Sequence, residues 1–239
     1  MNKSLKQVLL VCVFLFALTG QAIADSLSEA KIAYDMGDYE KAAILFRPLA
    51  EQGNASAQLQ LGFMYDSGLG VHQDYKEAVK WYRLAAEQGN AVAQSFLGDA
   101  YNYGNGVPQN YAEALKWYQL AAEQGNASAQ TILGFMYISG QGVPQDYKEA
   151  VKWYRLAAEQ GVADAQARLG SMYLLGLGVP QDYVLSHMWL NIATAHADSE
   201  EQKKIIKLSD LMAKKMTAQQ IAKAQELARK CTANKFKGC

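Results

Sequence analysis

The chain is poor in the residues that build most bond-making sites. It has three histidines, His72, His187 and His196, none at ligand spacing from another or from cysteine, so a zinc-type centre finds no ligand set. Three cysteines in 239 residues exclude a disulfide-dense mini-protein. Lysine plus arginine and aspartate plus glutamate both number 23, so no overall charge drives binding to nucleic acid. Half of the residues are apolar, which excludes a disordered polymer. No phosphate loop, dinucleotide fingerprint or Ser-His-Asp arrangement appears. Proline is scarce at 4, while glycine reaches 19 and tyrosine 14, a skew expected of a duplicated motif.

Long apolar runs are also rare. Val8 to Leu18 is uninterrupted by charge, follows Lys3 and Lys6, and is broken by Gly20. Eleven residues are too few to span a bilayer as a mature helix. Ala22-Ile23-Ala24 supplies small residues at signal-peptidase spacing, so residues 1–24 read as an export signal cut between Ala24 and Asp25. The mature chain then has no membrane span and carries 21 basic against 23 acidic residues.

What the sequence has in abundance is a period of 36. The four tryptophans, Trp81, Trp117, Trp153 and Trp189, are spaced 36 residues apart. Gly62, Gly98, Gly134 and Gly170 keep the same step, as do Tyr65, Tyr101, Tyr137 and Tyr173. Residues 54–89 and 126–161 differ at five positions only. Four copies therefore run 54–89, 90–125, 126–161 and 162–197. Each reads as two helices. Asn54 caps helix A and Gly68 ends it in the left-handed conformation. Asp74 with Glu77 has capping-box form at the start of helix B, repeated by Asn110 with Glu113 and Asp146 with Glu149. One hairpin cannot bury both faces, so the copies must stack.

The pattern Ala57-Gln58, Leu61-Gly62, Tyr65, Gly68-Leu69-Gly70-Val71, Asp74-Tyr75, Ala78, Trp81-Tyr82 and Ala85-Ala86-Glu87-Gln88-Gly89 resembles the Sel-one-like repeat, a relative of the tetratricopeptide repeat. The resemblance covers residues 54–197. It implies an all-α fold, a right-handed α/α superhelical solenoid of antiparallel hairpins with helix A on the concave side. It also implies a scaffold that binds proteins, in exported bacterial members at the envelope or a host cell. The fourth copy departs after Tyr183, where Val184-Leu185-Ser186-His187-Met188 replaces the charged run. Residues 25–53 read as a tetratricopeptide-like hairpin cap, and residues 198–239 as a two-helix cap with a basic tail. Ile205, Leu208 and Met212 form one apolar stripe of that second cap, and Ile221, Ala224, Ala228 and Cys231 another. Thr217 with Gln220 forms a capping box between them.

Comparing the copies separates two arcs of helix A. Positions 57, 58, 61, 62 and 65 keep their residue types in every copy and fall within roughly 140° at about 100° per residue, so they form the packing face. The opposite arc varies. Its centre reads Leu59, Phe63 and Asp66; Ser95, Asp99 and Asn102; Thr131, Phe135 and Ile138; and Ala167, Ser171 and Leu174. Drift on a solvated face would leave mainly polar residues there. A groove for a protein or peptide partner would keep apolar anchors such as Phe63, Phe135, Ile138 and Leu174 with polar neighbours. The repeated tryptophans and tyrosines, held in register beside Ala78 and Ala85, are core rather than a stacking platform. Asn54-Ala55-Ser56 and Asn126-Ala127-Ser128 have acceptor form for glycosylation, but capping explains both asparagines.

Residues from 199 onward carry +6 and residues 25–198 carry −8. The basic end is a solvated cap or a patch that docks on an anionic envelope polymer. Cys231 and Cys239 are expected to form a disulfide in an oxidising compartment. Ser28-Glu29-Ala30-Lys31 has the Ser-x-x-Lys form of penicillin-recognising enzymes but lacks the Lys-Thr-Gly companion. The function expected is a non-catalytic exported adaptor, periplasmic or secreted, that needs no cofactor or metal and binds a protein or peptide. A lactam-binding enzyme and a structural envelope component are the alternatives.

Overall fold

A computed structural model describes residues 25–195 and 199–239. Residues 1–24, read from the sequence as an export signal, lie outside the described residues, as does His196; Asp25 is already helical. The described chain is all-helical and divides into two compact units between Gln109 and Asn110. The first holds α1 (residues 25–35), α2 (Tyr39–Glu51), α3 (Ala55–Ser67), α4 (Tyr75–Glu87) and α5 (Ala91–Tyr103). The second holds α6 (Tyr111–Glu123), α7 (Ala127–Ser139), α8 (Tyr147–Ala158), α9 (Ala163–Leu175), α10 (Tyr183–Thr194), α11 (Ser199–Ala213) and α12 (Ala218–Ala233).

Local chemistry sets the ends of these helices. The Asn54 side chain accepts from the Ala57 amide at 3.0 Å, and Gly68 closes α3 at φ 69°. Asp74 accepts from the amides of Lys76 and Glu77 at 2.9 and 3.1 Å to open α4. The reciprocal half of the expected capping box goes elsewhere. The carboxylates of Glu77, Glu113 and Glu149 pair with Lys80, Lys116 and Lys152 one turn on, at 3.0, 2.6 and 3.3 Å. A full capping box forms where Thr217 and Gln220 start α12. Val162, which stands where the other copies have asparagine, makes no side-chain cap to α9.

The constant arc of helix A is the interior. Ala57, Gln58, Leu61 and Gly62 are buried, as are Ala165, Gln166, Leu169 and Gly170. Gly62 has to be glycine, because a Cβ there would stand 2.7 Å from Cδ1 of Tyr82. The tyrosines and tryptophans of helix B fill the space beside it: Tyr82, Tyr118, Tyr154, Trp81, Trp153 and Trp189 are buried. Burial pushes the Tyr154 hydroxyl up to about 12.

Three sets of polar contacts, none of them expected from the sequence, tie neighbouring elements together. The buried amides of Gln58, Gln94, Gln130 and Gln166 each donate to the carbonyl eight residues earlier, those of Ala50, Ala86, Ala122 and Ala158, at 3.0 to 3.1 Å. Gln88 and Gln160 in turn donate to Gln58 and Gln130 at 2.7 and 2.8 Å. The guanidinium groups of Arg47, Arg83 and Arg155 donate to the hydroxyls of Tyr65, Tyr101 and Tyr173, with 2.8 and 2.6 Å for the first two. Gln58 and Gln130, costly to bury alone, thereby have both ends of the amide bonded, whereas Oε1 of Gln166 is buried without a hydrogen-bond partner.

Both ends of the described chain are covered. In the first unit Ala30, Ala33, Ala42 and Phe46 pack onto Leu61, Met64 and Trp81. In the second, α10 is flanked by both α11 and α12, which explains the departure in the fourth copy. Met188 is buried where the other copies expose Lys80, Lys116 and Lys152, while Ser186 and His187 are buried at positions that hold apolar residues in the other copies. The Ser186 hydroxyl donates to the Gly170 carbonyl at 2.6 Å. Ile205 and Met212 are buried with Leu190 and Ala193, and Ala224 and Cys231 are the buried positions of α12. Cys231 and Cys239 are bonded, with Cα atoms 5.6 Å apart.

Candidate partner-binding site

The divergent arc of helix A separates into accessible and inaccessible positions. Ser95 and Ala167 are inside, 6% and 9% exposed, so these two do not belong to a contact surface. Ala167 packs with Leu190, Ile205 and Met212, and Leu174 lies against the same cluster. Ile138 leans on the core of the second unit. Thr131 and Ser171 turn their hydroxyls back to the carbonyls of Ala127 and Ala167, both at 2.9 Å. Phe135 is 43% exposed, and the Arg168 guanidinium lies 5.8 Å over its ring. Asp164 holds that guanidinium through Nε at 2.8 and 2.9 Å.

In the first unit Leu59, Phe63, Asp66, Asp99 and Asn102 are half-buried. Asp66 and Asp99 come together in a cleft of about 310 Å³ between α3, α4 and α5. Tyr75, Ala78, Val79, Tyr82, Phe96 and Tyr103 form most of its wall. Phe96 stacks on Tyr82 with centroids 5.1 Å apart and tilts against Phe63 at 6.2 Å. The Tyr82 hydroxyl donates to Asp66 Oδ2 at 3.5 Å, and burial holds the Asp66 carboxyl above its ordinary value despite that contact. Burial, and then the neighbouring Asp66, likewise push the Tyr82 hydroxyl upward.

Phe96 and Tyr103 are cleft residues that the stripe's centre did not contain. The signal for them was present on its flanks, because the corresponding positions of other copies hold Gln60, Ile132 and Arg168, and Ser67, Ser139 and Leu175. Among the described residues no group of three or more His, Cys, Asp or Glu is placed to share a metal ion. Ser28 and Lys31 are both exposed on α1.

Antiparallel helix pairs with a repeated interior and a varied accessible arc define the class: a helical-repeat protein. The Sel1 repeat family model matches residues 31–54, 55–90, 91–126, 127–162 and 163–198, and the chain belongs to that family. The first match falls on the segment read from sequence as a tetratricopeptide-like cap. A Sel1 repeat protein of Oxalobacter formigenes is 39% identical over 71% of this chain and 70% of its own, with a TM-score of 0.67. A protective antigen of uropathogenic Escherichia coli with an SLR fold is 31% identical, over 90% of this chain and 55% of its own, at a TM-score of 0.55. A Klebsiella pneumoniae protein described as a Sel1 repeat protein shares the fold at 22% identity and a TM-score of 0.51, over 80% of this chain and 93% of its own. No curated protein matches the chain.

Proposed function

We propose that the protein is a non-catalytic exported adaptor that binds a protein or peptide partner through the divergent arc of helix A. Sel1 repeat proteins are in general scaffolds for protein interaction. The observation that carries the reading for this chain is the contrast within one helix. One arc is held constant by packing, while the other varies and presents half-exposed Phe63 with Asp66 and Asp99 in the first unit, and Phe135 in the second. Apolar anchors ringed by polar groups are what a protein interface needs, and drift in water would not retain phenylalanine twice. With Ser95 and Ala167 removed as buried, the proposed contact residues are Leu59, Phe63, Asp66, Asp99 and Asn102 in the first unit, and Thr131, Phe135, Ile138, Ser171 and Leu174 in the second.

Export with cleavage between Ala24 and Asp25, to a periplasmic or secreted location, belongs to the same reading. No helix among the described residues is long and apolar enough to cross a membrane. The test is a crosslinking pull-down with the protein's native envelope fraction, repeated with Phe63→Asp and Phe135→Asp. An adaptor loses its partner with either change while its circular dichroism stays unaltered. Unchanged capture by both folded variants sinks the proposed surface. Loss of capture only on raising the salt would shift the reading to the basic C-terminal cap on an anionic polymer. Covalent labelling of Ser28 by a lactam probe would replace the adaptor by an enzyme.

A further inference from the structure

The cleft between α3, α4 and α5 is not a by-product of repeat packing. Its two acids occur at only one junction. Asp66 is matched in the other copies by Asn102, Ile138 and Leu174, and Asp99 by Phe63, Phe135 and Ser171. The stacking of hairpins therefore proceeds without either carboxylate. Half-burial of Asp66 beside Tyr82 makes its charge harder to hold, which a purely structural position would be free to avoid. The walls are aromatic: Phe96 on Tyr82, with Tyr75 and Tyr103 40% and 66% exposed at the mouth. None of the residues lining the cleft is basic.

The chain itself shows what such a place accepts. One repeat pair further on, the counterpart of Phe96 is Arg168, whose guanidinium lies 5.8 Å over Phe135 and 6.0 Å over Tyr154, the counterparts of Phe63 and Tyr82. There the acids are absent, replaced by Ile138 and Ser171, and Asp164 supplies the anion. The second unit thus supplies its own cation over the ring pair. In the first unit the ring pair is covered by Phe96 and two acids stand beside it.

We propose that the cleft lined by Asp66, Tyr75, Phe96, Asp99 and Tyr103 receives an arginine side chain from the partner polypeptide. A guanidinium is flat, stacks on aromatic faces, and meets carboxylates through two parallel N–H donors, so it suits a cleft with aromatic walls and paired acids. A lysine ammonium satisfies the charge but not the stacking. The inference rests on the adaptor reading and deepens it, by naming the side chain that anchors the partner in the first unit.

The test is a titration of ¹⁵N-labelled protein, expressed from the full chain, with the capped peptides Gly-Gly-Arg-Gly-Gly, Gly-Gly-Lys-Gly-Gly and Gly-Gly-citrulline-Gly-Gly, followed by NMR. The arginine peptide should shift the signals of Asp66, Phe96, Asp99 and Tyr103. Lysine should bind severalfold more weakly, and citrulline, which keeps the shape but not the charge, at least tenfold more weakly. Asp66→Asn with Asp99→Asn should reduce arginine binding at least tenfold. Tyr103→Ala, at an exposed position that folding does not depend on, should reduce it severalfold and keeps the test open if the double variant unfolds. Equal binding of citrulline, unchanged binding by the folded variants, or shifts centred away from the cleft would overturn the proposal. The pull-down separates the two ideas. If the Asp66→Asn, Asp99→Asn protein retains a partner that Phe135→Asp loses, the arginine cleft falls and the adaptor stands. If arginine binds the cleft but no envelope protein is retained, the adaptor reading falls.

Discussion

Replacing Gly106 by alanine isolates the contact that sets the spacing between successive hairpins of the first unit. Gly106 lies in the loop after α5 at φ 74°, pressed against the first turn of α4. A Cβ there would run into the carbonyl group of Tyr75 and stand 2.9 Å from the Lys76 nitrogen. The obstacle is backbone, which cannot swing away as a side-chain tip would. Two penalties therefore combine: about 1–2 kcal/mol for alanine in the left-handed region, and about 1–3 kcal/mol for forcing the packed loop outward. Gly89 supplies the control. It has φ 87° with nothing within 4 Å of the added atom, so Gly89→Ala bears only the conformational term of about 1–2 kcal/mol. Urea unfolding of both variants gives the difference, expected at about 1–3 kcal/mol, provided the transition stays cooperative. Repeat arrays can unfold in parts, so amide exchange supplies the local reading. The first turn of α4, around Tyr75 to Ala78, should lose protection in Gly106→Ala and keep it in Gly89→Ala. Equal destabilisation by the two, with no change at Tyr75, would show that the loop yields freely and does not set the spacing.

Gln58→Leu removes a buried donor to Ala50 and the acceptor that Gln88 uses, so it should destabilise by about 1–3 kcal/mol in the same urea assay; a stabilised variant would show that the glutamines are dispensable. Asp66 has its carboxyl raised above the ordinary 3.8 by burial, so the folded state favours the protonated form. Its contribution to stability is present below the unfolded value and lost as pH rises through the folded one. Asp66→Asn should therefore melt above the wild type at pH 7 and converge with it in acid; a variant that melts lower at pH 7 contradicts the burial argument. The mature form that the proposed export would yield should show no free thiols under denaturing conditions, and reducing Cys231–Cys239 should speed amide exchange in residues 231–239. The loop model gives about 2–3 kcal/mol for that local order, and two free thiols would refute the bridge.

Much of the architecture follows from rules that act over a few residues. Asn54 accepting from Ala57, Asp74 from Glu77 and Gly68 at positive φ are contacts within one turn, so residue type and spacing suffice to place each helix end. The same holds for Thr217 with Gln220. Even the interior is readable, because a position that meets the same neighbours in every copy keeps its residue type. Where a partner from another helix intervened, local reading failed: the Asp74 amide donates to the Tyr65 carbonyl at 3.0 Å, and the Glu77 carboxylate pairs with Lys80 instead.

By itself, then, the sequence determined the helices, their pairing into hairpins, the arc that packs and the family to which the chain belongs. Its constraint was the period, which imposes identical surroundings on equivalent residues. Tertiary structure decided what became of the residues free of that constraint. Ser95 and Ala167 went inside, Arg168 came to lie over Phe135, and α10 was covered on two sides. It also drew Asp66 and Asp99, 33 positions apart, into one aromatic cleft. The reason is distance along the chain: a helix end answers to neighbours one turn away, whereas the fate of an unrepeated side chain depends on whichever residue the next hairpin brings opposite it.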